Sequence, residues 1–323
     1  MTAWSGGRSG LVFKYGLTLV LVALLVFVLF TSIDLGELVT TLSHGNPVLF
    51  GAALVTYYVT VPLRTYRWIV LLREVDLELP HVVGNLVVML SLFFNTILPA
   101  KAGDIYKSHV VGIRYDVSRA SVLGTTAVER ILDVILLSGG LLLSMVVLIN
   151  PFQEATNVGV VAGVVLTVTV VAVVVLLRIP VRWLPGRVRN DLENFLLGIR
   201  SIESSYVLGS VGLLSVVIWG GNVGRIYLLS VALDIGISHV EVIFVALLIS
   251  FLTGLPYTPA GIGAVEVGGG VALLAFGVTR ESGAALLLLD RAITIASVVI
   301  VGAVIYTVLH ARDADILRGD PLT

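Results

Sequence analysis

Charged residues recur in this chain at the same spacings about 161 residues apart, and most of them lie in or beside long apolar runs. Arg64-Thr65-Tyr66 returns as Arg225-Ile226-Tyr227, Asp76 and His81-Val82 as Asp234 and His239-Val240, and Glu129-Arg130 as Asp290-Arg291. Pro99, Gly103 and Asp104 return more loosely as Pro259, Gly263 and Glu266. Sixty-six positions separate Arg64 from Arg130, and 66 separate Arg225 from Arg291. Ionisable groups within apolar segments are expensive and mark function. A duplicated unit with mirrored charges points to a transport site between two related halves.

The duplicated unit is a membrane unit. Mean hydropathy is +1.05, 57% of residues are hydrophobic and 13% are charged, against about a quarter charged in soluble domains. A net charge of −1 and the lack of a basic cluster give no reason to expect a nucleic-acid partner. No cysteine is present, which excludes disulfides, thiolate nucleophiles and cysteine-ligated metals. Neither a phosphate-binding G-x-x-x-x-G-K-[ST] loop nor an H-E-x-x-H pair occurs, so no nucleotide, metal or other cofactor is expected.

The pattern predicts an all-α polytopic membrane protein with about six full spans, near 13–33, 47–72, 119–149, 157–178, 207–232 and 283–310. The first run ends in Thr31-Ser32-Ile33-Asp34-Leu35 with no small-x-small site, and reads as an uncleaved span. Segments 81–98 and 239–256 are only 18 residues each. The links 34–46, 150–156 and 233–238 contain no Lys or Arg, whereas Arg73 and Arg178, Arg182, Arg187, Arg189 and Arg200 mark cytoplasmic sides. Segment 81–98 therefore starts inside and is followed by Lys101, Lys107, Arg114 and Arg119, which belong inside too. The economical solution is two re-entrant helical hairpins, broken at Leu98-Pro99 and at Pro256-Tyr257-Thr258-Pro259, in an inverted repeat. Eight or more full spans in a parallel repeat is the alternative.

A single transmembrane domain over 1–312 is expected, with repeats at about 47–150 and 207–310 and a short cytoplasmic tail at 313–323. Segment 180–205, with Trp183, Phe195, Leu196 and Ile199 among arginines, reads as a cytoplasmic interfacial helix or as a solvated linker. Both termini are expected on the cytoplasmic side of the cell membrane.

The chemistry-bearing charges are Arg64, Arg67, Arg130, Arg225 and Arg291 against Asp104, Glu129, Asp133, Glu266 and Asp290. Five of each sign allow mutual neutralisation. Adjacent pairs such as Glu129 and Arg130 do not face each other on a helix, however, and Arg64 and Arg67 have no acid nearby on their own helix. Some partners must come from other segments or from a ligand, and arginine suits phosphate or carboxylate. The turn Tyr257 to Gly263, with Gly261 within it, starts a new helix whose N-terminus would attract anions. His81 and His239 sit at equivalent hairpin entrances.

The run Asn95-Thr96-Ile97-Leu98-Pro99-Ala100-Lys101-Ala102-Gly103-Asp104, followed by Glu129-Arg130-Ile131-Leu132-Asp133, resembles the flippase-like family named for the transmembrane region of lysylphosphatidylglycerol synthase. The family pattern is an Asn, then Leu-Pro-x-Arg-x-Gly-Glu, then Glu-Arg-x-x-Asp. Pro256 to Glu266 is similar to its Pro-Gly-Gly-x-Gly-x-x-Glu, and Asp290-Arg291 stands where the family has an Arg. Lys101 replaces Arg, Asp104 replaces Glu and Ala260 replaces the first Gly; the first two keep their charge sign. The resemblance covers nearly the whole chain.

It implies flipping or scrambling of an anionic or polyprenyl-phosphate-linked lipid, and no aminoacyl-lipid synthesis, because no synthase domain is expected to follow. A separately encoded glycosyltransferase is an implied partner, and a polyprenyl-linked sugar an implied cargo. The expected substrate groove takes Arg64, Tyr66, Arg67, Asn95, Lys101, Asp104, Glu129, Arg130 and Asp133 from the first half. From the second it takes Arg225, Tyr227, Tyr257, Gly261, Gly263, Glu266, Asp290 and Arg291. No catalytic residue is expected. Alternatives are a membrane-embedded enzyme acting on a lipid phosphate, using these acids and arginines, or a small-solute secondary transporter.

Overall fold

The structure, a computed structural model, describes residues 35–148, 163, 186–200, 204–255 and 258–311. The expected span 13–33, all of 157–178 but residue 163, the linker start 180–185, Pro256, Tyr257 and the tail 313–323 lie outside the described residues. Long apolar runs must satisfy their own backbone hydrogen bonds, and every regular element described is helical. In order these are α1 (Leu35–His44), α2 (Pro47–Arg73), α3 (His81–Ile97), α4 (Ala102–Arg114), α5 (Arg119–Leu148) and α6 (Gly186–Arg200). There follow α7 (Ser205–Ala232), α8 (His239–Gly254), a 3₁₀ turn at Pro259–Gly261, α9 (Ala264–Ala275) and α10 (Arg280–Arg291). The last continues through a π-helical stretch, Ala292–Ser297, into α11 (Val298–Ala311).

Among the described residues, four helices are long and apolar enough to cross a membrane: Pro47–Arg73, Arg119–Leu148, Ser205–Ala232 and Arg280–Leu309. They coincide with four of the six expected spans. The cap of α2 shows why it begins where it does. Asn46 Oδ1 accepts from the N–H groups of Val48 and Leu49 at 3.0 and 3.4 Å, and Pro47 fills the first position, where a missing N–H costs nothing.

The intervening helices are short. At 1.5 Å per residue, α3 and α8 reach only about 26 and 24 Å, and α4 and α9 only about 20 and 18 Å, against roughly 30 Å of hydrocarbon. Pro99 disfavours helix for the residue before it, and Leu98 is extended at φ −108° and ψ 146°. Ala100 and Lys101 then take φ of 57° and 55°, which reverses the chain into α4. The second break uses the same device at Ala260 (φ 50°), Gly261 (φ 71°) and Gly263 (φ 88°).

Helices α2 and α7, which carry Arg64 and Arg225, form the central pair. Each short-helix pair packs on a long helix from the other part of the chain: α8 on α5, and α3 on α11. Matching aromatic contacts stand at the two hairpin entrances, with Tyr66 stacked on His81 at 5.8 Å and Tyr227 on His239 at 5.6 Å. Helix α6 docks on α5 where two glycines meet. A Cβ on Gly124 would lie 2.2 Å from the Phe195 carbonyl, and one on Gly198 only 2.1 Å from that of Ser121. Leu196 and Ile199 are thereby buried against protein. The face expected to meet lipid headgroups is therefore a packing face.

Candidate functional site in a cationic cleft

Arg67 is 2% exposed and reaches across from α2 to α5. Its Nη1 donates to Asp133 at 2.7 Å and to Ser215 Oγ at 2.8 Å, and its Nε to Glu129 at 3.3 Å. Lys107, on α4, donates to the other Glu129 oxygen at 2.7 Å while its ammonium sits 4.2 Å from the Trp68 ring centroid. Two cations and two carboxylates thus close a buried cluster, in which each charge has a partner.

Arg130 follows Glu129 but turns the other way, as adjacent helical positions must. It makes a two-pronged contact with Asp104 at 2.7 and 2.8 Å and lies 3.8 Å from Asp133. Asn95 orients Asp104 from behind, donating to it at 3.0 Å and accepting from the Gly103 N–H at 2.9 Å. Gly103 is required there, because a Cβ would fall 2.0 Å from the Ser91 carbonyl.

Corresponding contacts occur around the second break. Arg291 Nε donates to Glu266 at 2.9 Å and its Nη1 to the Ala260 carbonyl at 3.0 Å. The other Glu266 oxygen accepts from the Gly263 N–H at 2.6 Å, so the start of α9 is capped by its own acid. Arg225 Nη2 stands 2.9 Å from Asp290, but poorly aligned, so that neither buried Asp290 oxygen accepts a hydrogen bond. Arg225 also lies 5.4 Å from the Tyr57 ring centroid.

These clusters border a cavity of about 130 Å³, large enough for several water molecules. Its walls carry Arg64, Lys101, Arg130, Arg225 and Arg291, with Asn95, Trp219, Asn222 and Asp290. A smaller recess beside it, about 30 Å³, meets Arg67, Asp104, Glu129 and Lys107. Of the residues expected in a groove, the structure gathers both halves' arginines, Asn95, Lys101 and the acids at or next to this cleft.

Others differ from expectation. Tyr66 and Tyr227 do not line it; they are 43% and 42% exposed and stack on His81 and His239. Gly261 and Gly263 shape the turn without lining the cavity, and Tyr257 lies outside the described residues. Lys107, read from sequence only as a marker of the cytoplasmic side, is 4% exposed inside the acid–arginine cluster. Its place three residues after Asp104, on the same helix face, was the available signal. Trp219, whose Nε1 donates to Asp133 at 3.0 Å, carried none. The balance of five charges of each sign is also corrected: Lys101 and Lys107 raise the cations to seven against five acids.

Comparison with known proteins extends this description. The model of the family described as lysylphosphatidylglycerol synthase TM region matches residues 15–302. The glycosyltransferase AglD of Haloferax volcanii is 28% identical over 332 aligned positions, which take in 90% of this chain and 53% of that protein. The chain thus spans about half the length of that relative. A UPF0104 membrane protein of Methanocaldococcus jannaschii is 22% identical over 223 positions, covering 68% of this chain and 95% of its own.

Proposed function

Because this chain belongs to the lysylphosphatidylglycerol synthase transmembrane-region family, we propose that it moves a lipid between membrane leaflets, with the phosphate headgroup in the cleft and the chains left in the bilayer. One observation carries this reading. Arginines from both charge-bearing segments, Arg64 and Arg130 with Arg225 and Arg291, line a single cavity between the long apolar helices and the short ones. Guanidinium groups are suited to phosphate, and a site between two related halves serves access from both sides.

In this reading the halves are inverted, α3–α4 and α8–α9 are re-entrant from opposite sides, and the arginine-rich linker is cytoplasmic. Asp104 and Glu266 hold Arg130 and Arg291 until a headgroup displaces them. The name of the Haloferax relative supports a sugar-linked lipid as cargo, supplied by a glycosyltransferase. Translocation is favoured over bond chemistry because Asp104, Glu129, Asp133 and Glu266 are each bonded to a cation, and Asp290, which accepts no hydrogen bond, still has Arg225 at 2.9 Å. A general base would need a free carboxylate within reach of a proton.

Purified protein in liposomes, with a fluorescent phospholipid or polyprenyl-phosphate lipid and a membrane-impermeant quencher, tests this. Wild type should expose inner-leaflet probe, and Arg130→Gln and Arg291→Gln should each lose most of that exchange. Normal exchange in both variants would remove the cleft from the transport path.

A further inference from the structure

The charges around the cleft do not cancel, and the remainder sits in one place. Arg67 and Lys107 are matched by Glu129 and Asp133; Arg130 is matched by Asp104, Arg225 by Asp290, and Arg291 by Glu266. Among the described residues, Arg64 and Lys101 make no ion pair within 4 Å, since the nearby Asp104 and Asp133 are already bonded to Arg130 and Arg67, and both line the cavity. Arg64 has only the face of Trp219, 5.4 Å from its guanidinium carbon. Lys101 Nζ donates to the neutral Thr253 carbonyl at 2.7 Å. Next to them, the buried Nη2 of Arg291 has no acceptor.

We infer that the cleft takes a phosphate carrying two negative charges, a phosphomonoester or a diphosphate, in preference to the singly charged phosphodiester of ordinary phospholipids. This rests on the lipid-transport reading and narrows its substrate. Two surplus cations in a setting of low dielectric are costly alone, and a dianion neutralises them together. A single negative charge leaves one of them bare. Arg64 comes from α2 and Lys101 from the break before α4, so the two charges enter the cavity from different elements. Arg291 Nη2 supplies an unused donor from a third. The phosphate of a monoester carries close to two charges at neutral pH, since its second pKa is about 6. A sugar joined to a lipid through one phosphate is a diester with a single charge. The carrier lipid as monoester, or joined through a diphosphate, fits the cleft better.

The experiment compares ligands that differ by one charge. Purified, monodisperse full-length chain is titrated with a polyprenyl phosphate, with the methyl diester of the same lipid, with phosphatidylglycerol, and with inorganic phosphate. The monoester should bind at least roughly tenfold more tightly than its methyl ester. Arg64→Gln and Lys101→Gln should each lower that ratio towards one, and Arg64→Lys, which keeps the charge, should restore most of it. Equal affinity for monoester and methyl ester would overturn the dianion inference while leaving lipid transport standing. No binding of any lipid phosphate would overturn both. Displacement of the lipid by equimolar inorganic phosphate would identify a soluble anion as the occupant and overturn the lipid assignment.

Discussion

The guanidinium carbon of Arg64 lies 5.4 Å from the ring centroid of Trp219, and this is the one close partner that cation has among the described residues. Arg67, one helical turn further along α2, is enclosed by Glu129, Asp133 and Ser215. One arginine is held by the protein and the other is left to the cleft, although both occupy the same face of one helix.

That difference separates folding from binding. Arg67→Met leaves Glu129 and Asp133 short of a buried counter-charge, a loss of about 3–5 kcal/mol. Its thermal unfolding in detergent should fall by many degrees. Arg64→Gln removes no ion pair and should unfold close to wild type while losing anion binding. Equal destabilisation by both variants would contradict the division.

Trp219 links the two roles, since its Nε1 donates to Asp133 at 3.0 Å while its ring faces Arg64. Trp219→Phe keeps a ring and gives up a hydrogen bond to a charged carboxylate, worth about 1.5–3 kcal/mol. Trp219→Leu gives up both, and with them the cation–ring attraction of roughly 0.5–2 kcal/mol. Binding of a lipid phosphate should weaken in the order Phe, then Leu. A Leu variant that binds as wild type would show that the ring does not position Arg64.

Gly103 sets the approach of α4 to α3. Gly103→Ala drives a methyl group into the Ser91 carbonyl, and overpacking of this kind costs about 1–3 kcal/mol. It should also displace Asp104 and slow lipid exchange. Gly139→Ala is the control, because nothing lies within 4 Å of its added Cβ. Similar stability and exchange in the two variants would mean that the hairpin tolerates separation of its arms.

Topology is testable in a chain without cysteine. Glu78 and Arg280 are both exposed and suit labelling. Glu78→Cys should react with an impermeant maleimide from the cytoplasmic side, and Arg280→Cys from the outer side. Reaction of both from one side would reject the proposed inversion.

Helical class, the long helices among the described residues and the two Pro/Gly breaks were legible in the sequence because they follow from local rules. An apolar run near 27–30 residues can only be a helix in lipid, and Pro99 disfavours helix at Leu98, where α3 ends, although Pro62 is carried within α2. The charged residues were visible for the same reason, since ionisable side chains stand out against an apolar background. Their allocation was not. Tyr66 follows Arg64 in the motif by two positions, yet helical rotation turns it from the cleft onto His81. Lys107 looked like a cytoplasmic marker until the folding back of α4 carried it 2.7 Å from Glu129.

Legible along the chain alone was a helical membrane unit carrying charges at recurring spacings, because hydropathy, spacing and proline act within a few residues of where they are written. Only the tertiary structure decided which cations are neutralised and which remain open. Ion pairing depends on distances of a few ångströms between helices separated in the chain, such as Arg67 to Asp133 across 66 residues. No local pattern reports how α2, α4 and α5 rotate against one another, and that rotation leaves Arg64 and Lys101 facing the cavity while Arg67 and Lys107 are enclosed.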